Sequence, residues 1–188
     1  MSSIRLYILA ALAERGPMHG HALVGLAEEE HVDEWTDISV GGVYGAVRRL
    51  AAEGAIESVR VERLGNYPER QVYAITESGR AQLGELRDQM LTELVWRHDP
   101  FDLALTRSDP AHLGELEDVL RARRSRIERR LEEHVVRRAQ IRRYLSELEY
   151  LTLAHGEHRL RAELSWLDEL LEHLDDIVRD ETARKDTP

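Results

Sequence analysis

The sequence predicts a mainly α-helical protein with one small β-hairpin in its first half. Apolar residues recur at the three- and four-residue spacing of helices over most of the 188-residue chain, and this spacing changes to alternation over one short stretch. Aromatic residues, which favour strands, make up only 5%. Apolar residues at 42% and charged residues at 33% are enough for a buried core with a charged coat, so the chain is not a disordered tail.

The composition excludes several classes of protein. There are no cysteines, which rules out disulfides, a thiolate zinc site and a cysteine nucleophile. No apolar run approaches the roughly 20 residues of a membrane span, and no export signal is recognisable, so we expect a soluble cytoplasmic protein that does not bind a membrane. The net charge of −10 argues against a protein that coats nucleic acid indiscriminately, although a local basic surface is compatible with it.

Three helices are predicted at the start of the chain. The first begins near Ile4 and ends at Gly16-Pro17, because glycine followed by proline stops a helix. The second runs from about His19 to Glu30. The third runs from about Val40 to Glu53, with Ser39 as its N-cap.

A hairpin and a fourth helix follow. Residues 56–63 and 71–75 alternate between apolar and polar, and residues 65–68 between them are rich in turn formers. Thr76 is placed to cap a helix that continues to about Arg97. This order is that of a winged helix-turn-helix, and we assign residues 1–97 to a DNA-binding domain of this type.

A second, helical domain is predicted over residues 98–182, with a loose tail at 183–188. Asp99-Pro100 breaks the chain at the boundary, and Gly156 marks the predicted turn between two long helices. The last helix has apolar residues at alternating steps of four and three, the pattern of a coiled-coil seam. We expect a homodimer through this seam, made by Leu160, Leu164, Leu167, Leu171, Leu174 and Val178.

The two long helices differ in charge. Residues 121–143 contain ten arginines and three glutamates, a balance of +7, whereas residues 157–181 contain nine acids and three arginines, a balance of −6. The arginine run is either a second nucleic-acid patch or one half of an antiparallel pair with the acidic helix, within or between chains. The matching lengths favour the pair.

Three ordered motifs carry a resemblance to a known family. Residues 39–57 resemble the recognition-helix signature of the PadR (phenolic-acid-decarboxylase-repressor) family of transcriptional regulators. Residues 18–23 resemble the start of the family's second helix, and residues 72–79 resemble its junction between wing and helix. The resemblance implies DNA binding and repression, and in some members an aromatic effector at the junction between domains. His21 stands where an aromatic residue is usual.

The predicted DNA-facing residues lie on the third helix and the hairpin. If Val43 and Val47 are buried, Gly41, Gly45 and Arg48 form the opposite stripe, where glycines permit close approach to phosphate and arginine can read guanine. For any single arginine, an ordinary solvated surface charge is the alternative. The predicted set is His19, Ser39, Gly41, Gly42, Tyr44, Gly45, Arg48, Arg49, Arg60, Arg63, Asn66 and Arg70.

Other candidate sites are few. Trp96 and Phe101 flank the domain boundary, where they either bind an aromatic effector or pack the two domains together. His19/His21 and His155/His158 lack a third ligand at usable spacing, so no metal is expected. No motif of a hydrolase, nucleotide-binding or metalloprotease site is present, and we expect no enzymatic activity and no cofactor.

The sequence therefore predicts a dimeric, sequence-specific transcriptional regulator, a repressor released by a small-molecule effector. Two recognition helices would bind double-stranded DNA at an inverted-repeat operator, with half-sites about one helical turn apart. The alternative is a helical adaptor protein that uses its winged helix to bind another protein. Arginines on the wing favour DNA, whereas the net charge of −10 gives the adaptor some weight.

Overall fold

The chain forms two compact units in a computed structural model that describes residues 3–63, 69–95 and 98–185. The units are Met1–Val95 and Trp96–Pro188. The division between them lies next to the boundary placed at Asp99-Pro100 from the sequence.

Unit 1, Met1–Val95, combines helices with a three-stranded antiparallel sheet. Its helices are α1 (Ser3–Arg15), α2 (Gly20–Glu29), α3 (Val32–Trp35), α4 (Val43–Ala52) and α5 (Glu77–Thr92), with a 3-10 turn at Val40–Gly42 before α4. Its strands are β1 (Met18–His19), β2 (Ile56–Glu62) and β3 (Arg70–Ile75), in the order β1-β3-β2. The predicted winged helix-turn-helix order is confirmed.

Two details of unit 1 differ from the sequence prediction. The hairpin gains a third strand, because Met18 and His19 pair with Tyr73 and Val72 of β3. The fourth predicted helix ends at Thr92 rather than continuing to Arg97. Leu91 and Leu94, which extended the apolar pattern, are 84% and 87% exposed and so find no core within unit 1 to hold the helix.

One buried cluster supports all of unit 1. It takes side chains from α1, α2, α4, α5 and the two long strands, and it leaves the opposite face of α4 outside the core. Its largest fully buried members are Ile8, Leu9, Leu12, Leu23, Leu50 and Ile56. Because this core fixes one face of α4, it also determines which residues of α4 face outward.

The end of the sheet is fastened to α4 and α5 by a cluster of short contacts around Ala55. The backbone carbonyl of Ala55 accepts hydrogen bonds from the backbone N–H and the hydroxyl of Thr76, both at 3.1 Å. The Thr76 hydroxyl also donates to the Gly54 carbonyl at 2.8 Å and accepts from the Gly79 N–H at 3.0 Å, which caps α5 as predicted. A Cβ at Gly79 would lie 2.0 Å from the Ala55 oxygen, so this approach requires glycine.

We expect Gly79→Ala to lower the free energy of unfolding by about 1–3 kcal/mol or more, because the added methyl group collides with backbone that cannot rotate away. Denaturant unfolding of the full chain measures the change. Gly84→Ala is the matched control on the same helix, since nothing lies within 4 Å of a Cβ there. It should stabilise the protein by up to about 1 kcal/mol through helix propensity. Equal stability of the two variants would contradict the close approach at Gly79.

Unit 2, Trp96–Pro188, consists of helices in the part that the structure describes. These are α6 (Pro100–Thr106), α7 (Leu116–Ile141), α8 (Glu147–Glu172) and α9 (Leu174–Lys185), with 3-10 turns at Pro110–Glu115 and Arg142–Tyr144. The two long helices α7 and α8 pack against each other. α9 extends to Lys185, so the tail predicted to be loose from residue 183 begins as helix.

The turn between the long helices is at Ser146, and its prediction at Gly156 is wrong. Gly156 lies inside α8. The Ser146 hydroxyl accepts from the Glu149 N–H, and the Glu149 carboxylate accepts from the Ser146 N–H at 2.8 Å, a reciprocal capping box that starts α8. The predicted continuous helix is therefore divided in two: α7 ends at Ile141, and the cap at Ser146, ten residues before the glycine, starts α8.

Ion pairs join the basic helix to the acidic helix within one chain. Arg124 of α7 lies 2.6 Å from Asp168 of α8, and Arg138 of α7 pairs with Glu157 of α8. The predicted pairing of the two charged helices is confirmed, with both partners in the same chain.

The six residues of the predicted dimer seam contribute mostly to the interior of unit 2. Leu167 has no exposed surface, and Leu171, Leu174 and Val178 pack against the same cluster. Leu160 and Leu164 are half-buried. As dimer contacts these residues stay a prediction, but a single chain already covers Leu167.

Glu157 is a charged residue in the interior, 1% exposed. Its carboxylate accepts two hydrogen bonds from the Arg138 guanidinium, one of them 3.0 Å long, and a third at 3.3 Å from Arg161. The Arg138 guanidinium also lies 4.2 Å from the centre of the Tyr150 ring. The hydrogen bonds from Arg138 hold the pKa of Glu157 below its usual value, against the opposing effect of burial.

We expect unit 2 to lose stability in acid through Glu157. A depressed carboxyl pKa means that the ion pair contributes fully above the pKa of the unfolded chain and is lost as the pH falls through the lower pKa of the folded chain. Glu157→Gln should reduce this pH dependence and cost roughly 1–3 kcal/mol at neutral pH. Hydrogen exchange of the α7 and α8 amides at several pH values measures both effects.

Glu147→Gln is the control for this experiment, because Glu147 pairs with Arg142 on an exposed surface. It should change stability by less than about 1 kcal/mol. If Glu157→Gln leaves the loss of stability in acid unchanged, other carboxylates cause that loss.

Candidate DNA-binding surface

Helix α4 presents its polar face outward because its apolar face is used by the core. Val43, Ala46, Val47 and Leu50 are buried, at the spacing of one helix face. Tyr44, Arg48 and Arg49 are exposed, and Gly41 just before the helix is exposed as well. Of the predicted DNA-facing residues of this segment, all but two are exposed, and Gly42 and Gly45 are half-buried.

The glycines around the start of α4 have different surroundings. A Cβ at Gly42 would lie 3.2 Å from the Ile4 side chain, so this glycine allows the segment to pack on α1. A Cβ at Gly45 would approach only the flexible end of Arg49, at 3.4 Å. Gly45 is half-exposed, so it leaves room for a partner outside the chain. Ser39 lies at the predicted N-cap position, where its carbonyl accepts from the Gly42 N–H at 2.9 Å, but its side chain makes no cap bond.

Of the five arginines in the predicted set, three are exposed and have no hydrogen-bond or ion-pair partner among the residues that the structure describes. These are Arg48 and Arg49 on α4 and Arg63 just after β2. Arg60 differs, because its Nε lies 2.7 Å from the Glu62 carboxylate, and Arg70 is half-buried. Exposed guanidinium groups of this kind suit phosphates and guanine edges.

The acidic residues at the end of α2 lie at the opposite end of that helix from its contact with Tyr44 of α4. The α2 N-terminus contacts Tyr44 through Gly20, whereas Glu30, just after the C-terminus, binds Tyr7 and Arg15 on α1. Ten residues of helix separate the two ends by on the order of 15 Å. This placement keeps the carboxylates away from a negatively charged partner of α4 although unit 1 is acidic overall.

His19 has a defined structural role. Its Nδ1 accepts a hydrogen bond of 2.8 Å from the Ala22 N–H and caps α2, and its ring stacks on His21 with the ring centroids 6.2 Å apart. His21 and Gly20 were not among the predicted site residues, although both contact Tyr44. The sequence predicts that these two residues lie at the start of a helix. It gives no signal for their contact with Tyr44 of α4, because that contact joins two separate helices.

Phe101, a predicted effector residue, is engaged within unit 2. Its ring meets Trp166 edge to face with the centroids 5.9 Å apart, and the Arg123 guanidinium lies 4.0 Å from its centre. Asp99 caps α6 through the Phe101 N–H and binds Arg123 at 2.6 Å, and these two contacts hold its pKa below the usual range. Trp96 and Asn66 lie outside the described residues.

Across the described ranges, no three histidine, aspartate or glutamate side chains are grouped as metal ligands. The same search for membrane helices finds none that is long and apolar enough to span a bilayer.

The fold and the outward-facing basic residues place unit 1 in the winged helix-turn-helix class, whose recognition helix enters the major groove of DNA. Residues 8–85 match the sequence model of the Transcriptional regulator PadR-like family. This match takes in most of unit 1, so the sequence of this unit is similar to that of PadR-like transcriptional regulators. No curated protein matches the chain.

Solved structures share the fold of nearly the whole chain. PadR of Bacillus subtilis in complex with operator DNA has a TM-score of 0.69 at 20% identity, over 92% of this chain and 99% of that one. The same protein in complex with p-coumaric acid has a TM-score of 0.65 at 19% identity, with the same coverage. A PadR-like regulator of Bacillus cereus has a TM-score of 0.60 at 20% identity, over 93% of this chain and 99% of that one.

We expect His19→Ala to lower the free energy of unfolding by about 0.5–2 kcal/mol, because the Ala22 N–H loses its acceptor. His19→Asn should recover most of this loss, since asparagine is a good N-cap residue. Denaturant unfolding followed by circular dichroism measures both variants. A His19→Asn protein as unstable as His19→Ala would mean that the histidine stabilises α2 by packing rather than by its cap bond.

Proposed function

We propose that this protein is a sequence-specific DNA-binding transcriptional regulator, a repressor, and not an enzyme. Unit 1 binds double-stranded DNA, with α4 in the major groove and the end of the β2–β3 wing on the backbone. The observation that carries this proposal is the set of exposed arginines Arg48 and Arg49 on the outer face of α4 and Arg63 just after β2, none of which has a partner among the described residues. The site of action is the cytoplasm, where such a regulator meets its operator.

The repressor acts as a homodimer on an inverted-repeat operator. Unit 2 supports this part of the proposal, because large apolar side chains remain exposed on its long helices in a single chain. These are Val119, Val135, Val136, Leu148 and Leu151. A second copy that covers such side chains would bury apolar area and present two α4 helices to two half-sites.

A small aromatic effector that releases the DNA completes the proposal. The support is the p-coumaric acid complex of the Bacillus subtilis relative and the aromatic residues around the end of unit 1 and the start of unit 2. Such a ligand shifts the protein toward release only if it binds the DNA-free arrangement more tightly than the DNA-bound one.

A binding assay at two salt concentrations tests the proposal against the adaptor alternative. The parent chain is titrated onto the DNA upstream of its own gene and onto a scrambled duplex of equal length. A regulator binds the first more tightly, and its affinity for both falls as salt rises. An adaptor would bind neither duplex, and this result would exclude a DNA-binding role.

We expect Arg48→Ala and Arg63→Ala to weaken DNA binding in different ways. Loss of a base contact at Arg48 should cost roughly 1–3 kcal/mol on the operator and little on scrambled DNA. Loss of a phosphate contact at Arg63 should weaken binding to all sequences and reduce the slope of log affinity against log salt by about one. Fluorescence anisotropy with labelled duplexes measures both effects.

Arg15→Ala is the matched control, because Arg15 pairs with Glu30 at the acidic end of α2. It removes the same charge and should change DNA affinity by much less than either variant. If Arg48→Ala and Arg63→Ala also bind like the parent, α4 and the wing are not the DNA-binding surface.

A further inference from the structure

Two residues at the start of α2, Gly20 and His21, contact Tyr44, which is in the first turn of the outward-facing helix α4. Tyr44 is 44% exposed, so part of the ring and its hydroxyl are available to a partner. Its hydroxyl oxygen lies 3.4 Å from Nδ1 of His21, and the His21 ring stacks on His19, whose own Nδ1 caps α2. The orientation of a half-exposed tyrosine is thus tied to a neighbouring helix.

Close packing at Gly20 fixes the ring of Tyr44 from a second direction. A Cβ at Gly20 would lie 3.1 Å from Cε1 and 3.3 Å from Cδ1 of Tyr44, so the ring lies directly on the glycine backbone. Any side chain at position 20 would displace the ring. Gly20 and His21 together therefore restrict the phenol to one face and direct its hydroxyl edge.

The contact with His21 also controls what the Tyr44 hydroxyl offers to a partner. When Nδ1 carries no hydrogen, the hydroxyl donates to it and the phenol oxygen keeps its lone pairs as acceptors. When Nδ1 carries the hydrogen, the ring donates and the hydroxyl hydrogen is free to be given elsewhere. In both cases the hydroxyl no longer rotates freely, so it can prefer one pattern of donors and acceptors.

We infer that His21 is a positioning residue for Tyr44 and that the oriented Tyr44 hydroxyl determines part of the operator sequence. This inference rests on the proposed function, because it needs α4 to face DNA bases. Residues at the N-terminal end of a recognition helix are those that reach base edges. His21 acts through Tyr44 and not by its own contact with a base.

The test is a double-mutant cycle with Tyr44→Phe and His21→Ala in the full-length protein. The DNA is a duplex that the parent chain selects from a random pool, compared with a scrambled duplex. Each single variant should bind the selected duplex roughly 2- to 10-fold more weakly, the fold-change that corresponds to the net value of one hydrogen bond. The double variant should bind no more weakly than the weaker single variant, because both changes remove one shared contact.

A conservative variant separates positioning from general structural support. His21→Asn keeps a polar atom near the place of Nδ1 and should restore most of the affinity, whereas binding to the scrambled duplex should be the same for all variants. His158→Ala, at an exposed histidine of α8, is the control and should bind like the parent.

Three results would overturn the inference. The first is a Tyr44→Phe variant that binds the selected duplex like the parent. The second is a double variant in which the two losses add. The third is a His21→Asn variant that binds as weakly as His21→Ala. If the parent selects no sequence from the pool, the proposed function fails and the inference fails with it. The two failures are distinguishable. If the parent selects a DNA sequence but the variants show no coupling, only the role of His21 is contradicted.

Discussion

The arrangement of unit 1 depends on how closely Gly79 approaches the carbonyl group of Ala55. At this point the end of α4, the start of β2, the end of β3 and the start of α5 meet through one carbonyl oxygen and one threonine hydroxyl. The contact leaves no room for a side chain, so the angle between the outward-facing helix and the wing is set by backbone geometry. The residues proposed to face DNA lie on both α4 and the wing, and this junction joins the two elements.

Most of unit 1 could be predicted from the sequence because its signals are local. Helix α4 has a clear apolar stripe, and Thr76 caps α5 as its position before the helix suggests. The strand β1 could not be predicted, since two residues have no periodicity and Met18 pairs with a strand more than fifty positions away. The contact of Gly20 and His21 with Tyr44 could not be predicted for the same reason, because α2 and α4 meet only in the folded chain.

Unit 2 shows the opposite balance between local and distant information. Complementary charge correctly predicted that the long helices pair, but the turn was assigned to Gly156 although the capping box at Ser146 is the stronger signal. Side chains of α7 contact α8 on both sides of this glycine, at Tyr150 and at Asp168. The apolar seam of the last helix was assigned to a second chain because the sequence alone does not say which helix covers Leu167.

The order β1-β3-β2 leaves β2 as an open edge of the sheet. Such an edge can pair with a strand of another molecule and begin aggregation. The edge strand carries Glu57, Arg60 and Glu62, and the sheet is only three strands wide. If the β2 edges of two copies paired, the charged side chains of one copy would lie against those of the other. The charges of the wing therefore oppose fibril-like association between copies. Changes of wing charge therefore affect colloidal behaviour as well as recognition.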